Sequence, residues 1–414
     1  MHVLVYLRLK KMNFLSTVGL GNIILLVNAF VWYSCVYAVL NKIIEIVAFT
    51  TYEKLMLYTI NFCGATFSIL LGAFVVSWCN VRRSLFLLCW TISGAIFSMI
   101  FIFPGIMTVV NMIIISLLLS ISFGFGLAAA MDSFAKNTAL ENRARSGSIV
   151  LLSIFFSMII LRSALTDDFF LNSLILMLWR ALGLTAFVFL DIKEEDVGLR
   201  TKSHFKSILK ERSLVLYLIP WAIFSLVNYL SWDVNANVYG EELIQISALI
   251  ENIIAGVSAI VAGLISDIKG RKIVTLIAFI LFGFGYAVLG IYPLNIFAWY
   301  FYVVIDGTAW GIISVIFLFT IWGDLAHGKS SEKYYAIGIL PYSLSIFMRL
   351  TIGSFIAERI SHYAIFSFAA LFLFFAVVPL MFAPETLPEK TLKERELRSY
   401  IEKAKRVREK FTKD

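Results

Sequence analysis

A chain of 414 residues that is 60% hydrophobic and only 15% charged, with a mean hydropathy of +0.88, is excluded from the soluble multi-domain enzymes, which carry about 25% charged residues. The net charge of +8 would suit a nucleic-acid binder, but the bases sit in short gaps between apolar runs, where they set membrane topology instead. Helices facing lipid must be apolar all round, and 37 phenylalanines against seven prolines suit long uninterrupted helices of that kind.

The segment Met1 to Met12 carries Arg8, Lys10 and Lys11 but no small-residue cleavage site, so the first apolar run is expected as a retained helix, with Met12 a second candidate start. About 20 apolar residues cross the hydrocarbon core. On that measure spans are predicted over 14–40, 55–79, 84–103, 107–131, 148–165 and 171–190, then over 214–237, 246–266, 272–291, 296–322, 335–357 and 364–383. The expected fold is all-α and integral to the membrane, with about 12 transmembrane helices in two six-helix bundles. Residues 1–190 form the first bundle, 191–213 a cytoplasmic central loop, 214–383 the second bundle and 384–414 a basic tail.

Lysine and arginine fix an orientation. Of the 35, 29 fall in the N-terminus, the tail and the alternate gaps that share their side. Only Lys42, Lys54, Arg162, Arg180, Arg349 and Arg359 lie elsewhere, which predicts both termini in the cytoplasm of a multi-pass plasma-membrane protein. Cys35, Cys63, Cys79 and Cys89 fall in apolar runs without a CxxC spacing and read as packing residues. His2, His204, His327 and His362 lie outside the apolar cores, which speaks against a histidine metal site or proton relay. No G-x-x-x-x-G-K-[ST] loop occurs, so neither ATP hydrolysis nor a cofactor is expected.

The halves repeat. The gap after the second span, Asn80-Val81-Arg82-Arg83, matches the gap after the eighth, Asp267 to Lys272. The gap after the fourth runs from Asp132 through Arg143 and Arg145 to Gly147; the gap after the tenth runs from Asp324 through Lys329 and Lys333 to Gly338. One common offset of about 190 residues predicts two copies related by an axis along the membrane normal.

Residues 263–272 read G-x-x-x-D-x-x-G-R-K: Gly263 permits close helix approach, Gly270 a tight reversal, Asp267 a charge pair, and Arg271 and Lys272 an anchor at the anionic inner leaflet. This resembles the signature loop of the major facilitator superfamily, and Pro384-Glu385-Thr386 followed by Lys390-Thr391-Leu392 resembles the tail of its sugar and organic-acid porters. The resemblance implies alternating access, with Gly263, Asp267, Gly270, Arg271 and Lys272 as a cytoplasmic gate. The chain departs from the pattern in three places. The loop from Gly72 to Arg83 lacks the acid and the second glycine, the fourth span lacks an arginine, and the fifth lacks a Gly-Pro pair.

Charges inside a bilayer cost at least a few kcal/mol, so each one has a reason. Arg180, Asp233, Asp306 and Arg349 fall within spans, Arg162 and Glu251 nearer span ends, and Asn28, Asn61, Asn228, Asn235 and Asn252 add neutral polar groups. They suit a central polar cavity in which Asp233 or Asp306 takes a proton while Arg180 or Arg349, with Asn28, meets an anionic solute group. The bland alternative is a structural ion pair such as Asp306 with Arg349. Asp233 and Asn237, four apart, share one helix face beside Trp232, and Trp310 stands four residues after Asp306, so both stripes are candidate solute contacts. Asp167 and Asp168 sit in a loop too short for a catalytic site. In the tail, Leu397, Tyr400, Ile401, Ala404, Val407 and Phe411 recur at helical spacing, as in a membrane-surface helix.

The function expected is proton-coupled symport of a small organic solute, a sugar or a carboxylate. Its partners are that solute, protons and the bilayer, without nucleic acid, and the chain acts as a monomer. The rivals are an exporter of amphipathic compounds and a non-transporting receptor of the same fold.

Overall fold

The computed structural model describes residues 17–47, 49–78, 82–102, 108–190, 204–326 and 329–388, with Leu397 and Ile401. The expectations for Met1 and Met12, His2, Cys79, Asn80 and Val81, His327, most of the central loop and nearly all of the tail lie outside these residues. Among the described residues, twelve helices are long and apolar enough to cross a membrane. They are α1 (Gly19–Ile46), α2 (Thr51–Trp78), α3 (Arg83–Ile102), α4 (Val109–Asn137), α5 (Leu140–Ala164) and α6 (Phe169–Phe189), then α7 (Arg212–Tyr239), α8 (Glu241–Lys269), α9 (Arg271–Ile291), α10 (Ile296–Leu325), α11 (Glu332–Arg359) and α12 (His362–Phe382).

All twelve apolar runs became helices, but α5 and α8 start well before the predicted positions. Hydropathy finds the slab of hydrocarbon, whereas the backbone stays helical through polar residues such as Arg143, Glu241 and Glu242. The ends are set by local chemistry. Thr108, Asp168 and Asn295 cap α4, α6 and α10 by accepting the backbone N–H of Asn111 (3.3 Å), Phe170 (2.9 Å) and Phe297 (2.8 Å). Gly270, at φ +104, turns the chain between α8 and α9 in a conformation that an L side chain resists. Two helices change pitch: residues Val315–Thr320 of α10 and Arg349–Gly353 of α11 form π-helical turns.

Within the first six helices α2 packs on α4; within the last six, α8 packs on α10 and α9 on α12. Across the halves, α5 meets α8 and α2 meets α11. Exchanging the halves turns one of these contacts into the other, as a duplicated six-helix unit requires. Large apolar side chains such as Phe67, Val188, Phe297 and Phe382 stand exposed on the outer surface. On a soluble protein they would form an aggregating patch; here they are the faces that meet lipid.

Candidate functional site

A cavity of about 540 Å³ lies between the halves. Every cross-half helix contributes: Tyr33 and Tyr37 from α1, Asn61 from α2, Phe155 and Arg162 from α5, Trp232 and Asn235 from α7, and Glu251 from α8. Trp299, Asp306 and Trp310 come from α10, and Tyr342 and Arg349 from α11. Leu127, Leu318, Phe319 and Ile339 line it where α4, α10 and α11 run towards their polar gaps. The lining extends the other way to Arg162, Ile244 and Trp299, close to the opposite helix ends.

Asp306 is 5% exposed, and its Oδ1 has no hydrogen-bond partner. Its Oδ2 accepts from Tyr302 Oη at 3.3 Å, Tyr286 Oη lies 2.9 Å from Tyr302 Oη, and Ser231 Oγ lies 2.6 Å beyond. This chain of hydroxyls runs from the cavity wall into the second half. Glu251 is near enough for its charge to act on Asp306. Gly307 keeps them near: a Cβ there would sit 2.9 Å from the Glu251 carbonyl oxygen, so α8 and α10 touch backbone to backbone beside the acids.

The remaining intramembrane charges are placed differently from one another. Arg349 lines the cavity but pairs with Asp233 (Nε to Oδ1, 3.5 Å) and stacks over Trp232 at 4.5 Å, so the ion pair with Asp306 does not form. Asp233 itself is outside the lining, and Asn237 on the same stripe is exposed; the α7 residues that reach the cavity are Asn228, Tyr229, Ser231, Trp232 and Asn235. Arg180 and Asn28 are also outside it. Arg180 is fully buried between Trp32 (5.1 Å) and Trp90 (4.4 Å) and donates to Asn28 Oδ1 at 2.9 Å. Its charge is compensated by aromatic faces rather than by a carboxylate among the described residues.

At the other end of the cavity's long axis the halves are tied by buried polar contacts. Asp324 at the end of α10 accepts from Arg143 of the first half (2.5 Å), from Arg271 (3.2 Å) and from Thr386 (3.1 Å). Asp132 at the end of α4 accepts from Ser331 of the second half (backbone N–H, 3.1 Å; Oγ, 2.5 Å) and pairs with Arg83 (2.7 Å) and Lys136. The two clusters are copies. Arg83 with Asp132 matches Arg271 with Asp324, and Ser331 crosses to the first acid where Arg143 crosses to the second. The sequence repeat therefore survives in space although the first loop lacks its acid.

The signature loop belongs to this latch. A Cβ on Gly263 would lie 2.7 Å from the Ala144 carbonyl oxygen, which is how α8 approaches α5. Asp267 is fully buried, pairs with Arg271 (3.0 Å) and accepts the Arg145 backbone N–H (3.0 Å) across the halves. Arg271 also donates to the Leu140 carbonyl at 2.6 Å, so it is a buried cross-half donor and not a lipid anchor. Lys272 reaches the Met381 carbonyl within its own half. Glu385 accepts the backbone N–H groups of Arg271 (2.9 Å) and Lys272 (3.1 Å), which gives the Pro-Glu-Thr segment a place at the same turn.

Neither a protein-family model nor a curated protein sequence matches the chain. Solved structures do. A structure of the proton:xylose symporter XylE of the major facilitator superfamily, bound to 6-bromo-6-deoxy-D-glucose, aligns at a TM-score of 0.65 over 89% of this chain and 96% of its own, at 13% identity. The human organic anion transporter MFSD10 (TETRAN) aligns at 0.63 over 90% of this chain and 100% of its own, also at 13% identity. The chain has the major facilitator superfamily fold. In the terms of that fold, Glu251, the tyrosine chain and the acids Asp132 and Asp324 are the residues that sequence reasoning did not single out. The signal for the last two was present: each opens one of the two gaps that match at the repeat offset.

Proposed function

We propose that this protein is a secondary active transporter that moves a small organic solute by alternating access, coupled to protons. The observation that carries the proposal is the cavity between the halves, reaching towards one end of the helices, with buried cross-half ion pairs holding the other end together. A latch of this kind has two discrete arrangements, made or broken, and the solute site between the halves faces a different side in each. The basic bias of the gaps supports a latched end that faces the cytoplasm, and residence in the plasma membrane is part of the same proposal. Glu251 and Asp306 are the groups suited to take up and release the coupling proton, because neither is held in an ion pair among the described residues.

Of the cargo classes the sequence suggests, a carboxylate fits the lining least. Arg180 is outside the cavity, Arg349 is already paired with Asp233, and the remaining lining cation, Arg162, is outnumbered by Glu251 and Asp306. Tyrosine, tryptophan and asparagine instead suit a solute with an apolar face and a few polar groups, a sugar among them. The same lining favours amphipathic compounds, so efflux is the second reading. Both are tested in proteoliposomes with an imposed proton gradient of either polarity and pooled radiolabelled sugars, amines and acids. Gradient-driven accumulation is expected, falling roughly tenfold or more in Asp306→Asn, in line with ordinary coupling energies. No accumulation of any solute by protein of unchanged melting temperature would overturn the transporter reading in favour of a receptor.

A further inference from the structure

With Arg349 counted against Asp233, the cavity lining carries one more acid than base: Glu251 and Asp306 against Arg162. Among the described residues neither Glu251 nor Asp306 makes an ion pair, and Glu251 makes no hydrogen bond. Asp306 Oδ1 and Asn235 Oδ1, both in the second half, are buried acceptors without a donor among the described residues. The lining therefore offers acceptors in excess. Of its two cations, Arg349 is paired with Asp233, while Arg162 donates to the neutral Ser34 Oγ at 2.9 Å and keeps its charge, so two acids face one uncancelled cation. Around the acids stand aromatic rings, with Trp299, Tyr302 and Trp310 on the same helix as Asp306 and Trp232 and Tyr342 on α7 and α11. A cation is attracted by the face of an aromatic ring and by a carboxylate alike, whereas an anion is repelled by both.

The approach has the same sign. At the end of the molecule opposite the latch, the described helix ends and loops carry Glu45, Glu53, Asp167, Asp168, Glu241 and Glu242 against Lys42, Lys54 and Arg162, while Glu358 and Arg359 cancel. A mouth of one sign raises the local concentration of counter-ions entering a low-dielectric cleft.

We infer that the solute is an organic cation, whose ammonium or pyridinium group sits between Glu251 and Asp306 while its apolar body lies against Trp299, Trp310 and Tyr342. The inference rests on the cavity being the solute site proposed above.

The test is equilibrium binding to purified protein at mildly alkaline pH, with radiolabelled N-methyl-phenylpyridinium, whose charge is fixed. Neutral phenylpyridine and anionic phenylbenzoate, of similar shape, serve as competitors. Binding of the cation is expected, with both competitors weaker by roughly tenfold or more. Affinity should fall by a similar factor in Glu251→Gln and in Asp306→Asn and stay unchanged in Lys210→Gln, an exposed residue just before α7 on the latched side. Equal binding of the neutral or anionic analogue overturns the inference, as does undiminished cation affinity in both cavity variants. If those variants do not fold, the ranking of the three compounds on the wild-type protein decides alone. The two proposals fail separately. Gradient-driven flux of an uncharged solute with no cation binding leaves a transporter of another cargo, and cation binding without flux of any solute leaves a cation site on a protein that does not transport.

Discussion

Two buried carboxylates on one helix are treated in opposite ways. Asp324, at the latch, is surrounded by Arg143, Arg271 and Thr386, so its charge is compensated from both halves at once. Asp306, earlier on α10, has one tyrosine on one oxygen and nothing on the other. Burial of an ion is tolerated when it is paired and hydrogen-bonded, and is expensive when it is not. The first carboxylate therefore serves the closed arrangement of the halves. The second is kept at a cost in stability, and such sites are where a membrane protein meets its ions and solutes.

Breaking the latch is the harshest way to probe that contrast. Asp324→Ala leaves two buried guanidinium groups facing an empty site, and a loss of about 3–5 kcal/mol is expected, read as a lower melting temperature and faster labelling of a cysteine placed at the latch. An unchanged melt would mean that water already shares this cluster. Next in size is Gly270→Ala. The extended backbone at positive φ (ψ +154) costs an alanine about 1–3 kcal/mol, and its Cβ would push against Glu385, which holds the Arg271 and Lys272 N–H groups. Thermal melting of the variant reads the loss, and Glu385→Ala in the same background should cost little more, since the two act through one turn.

Asp306→Asn tests the other side of the comparison: stability should hold within about 1 kcal/mol, because no ion pair is broken, while gradient-driven transport is lost. A melt as damaged as that of Asp324→Ala would make Asp306 structural. The smallest effect belongs to Asp167, which is exposed. The Lys42 ammonium, as hydrogen-bond donor and as a charge, holds its carboxyl below the usual carboxylate range. That contribution is present above the carboxylate's unfolded value and is lost as pH falls through the depressed one. Solvent screens it so thoroughly that Asp167→Asn should melt like the wild type at every pH from neutral to acid.

The helices were legible because lipid imposes a composition on any residue that faces it, and the signature loop because glycine and charge are needed at fixed spacing for α8 to approach α5. What the sequence does not give is the azimuth of each helix. Arg180 and Asp233 were correctly expected inside spans, but which way they face depends on neighbours. Arg180 is turned towards Trp32 and Trp90, and on α7 it is Asn235, not Asn237, that meets the cavity. Glu251 was set near a span end because the apolar run begins later than the helix. With α8 starting at Glu241, it lies almost three turns inside. The latch acids Asp132 and Asp324 look like ordinary loop charges until the halves are brought together.

The π-helical turn of α10 lies between Asp306 and Asp324. In an unbroken α-helix residues eighteen apart are separated by about five whole turns and would point the same way. The wider turn takes up one extra residue, roughly 100° of rotation, and so sets the two carboxylates on different bearings along one rod. Were that segment to tighten into regular helix, the two ends would have to swivel against each other by that angle. The gearing between the latch and the cavity is thus written into the winding of a single helix.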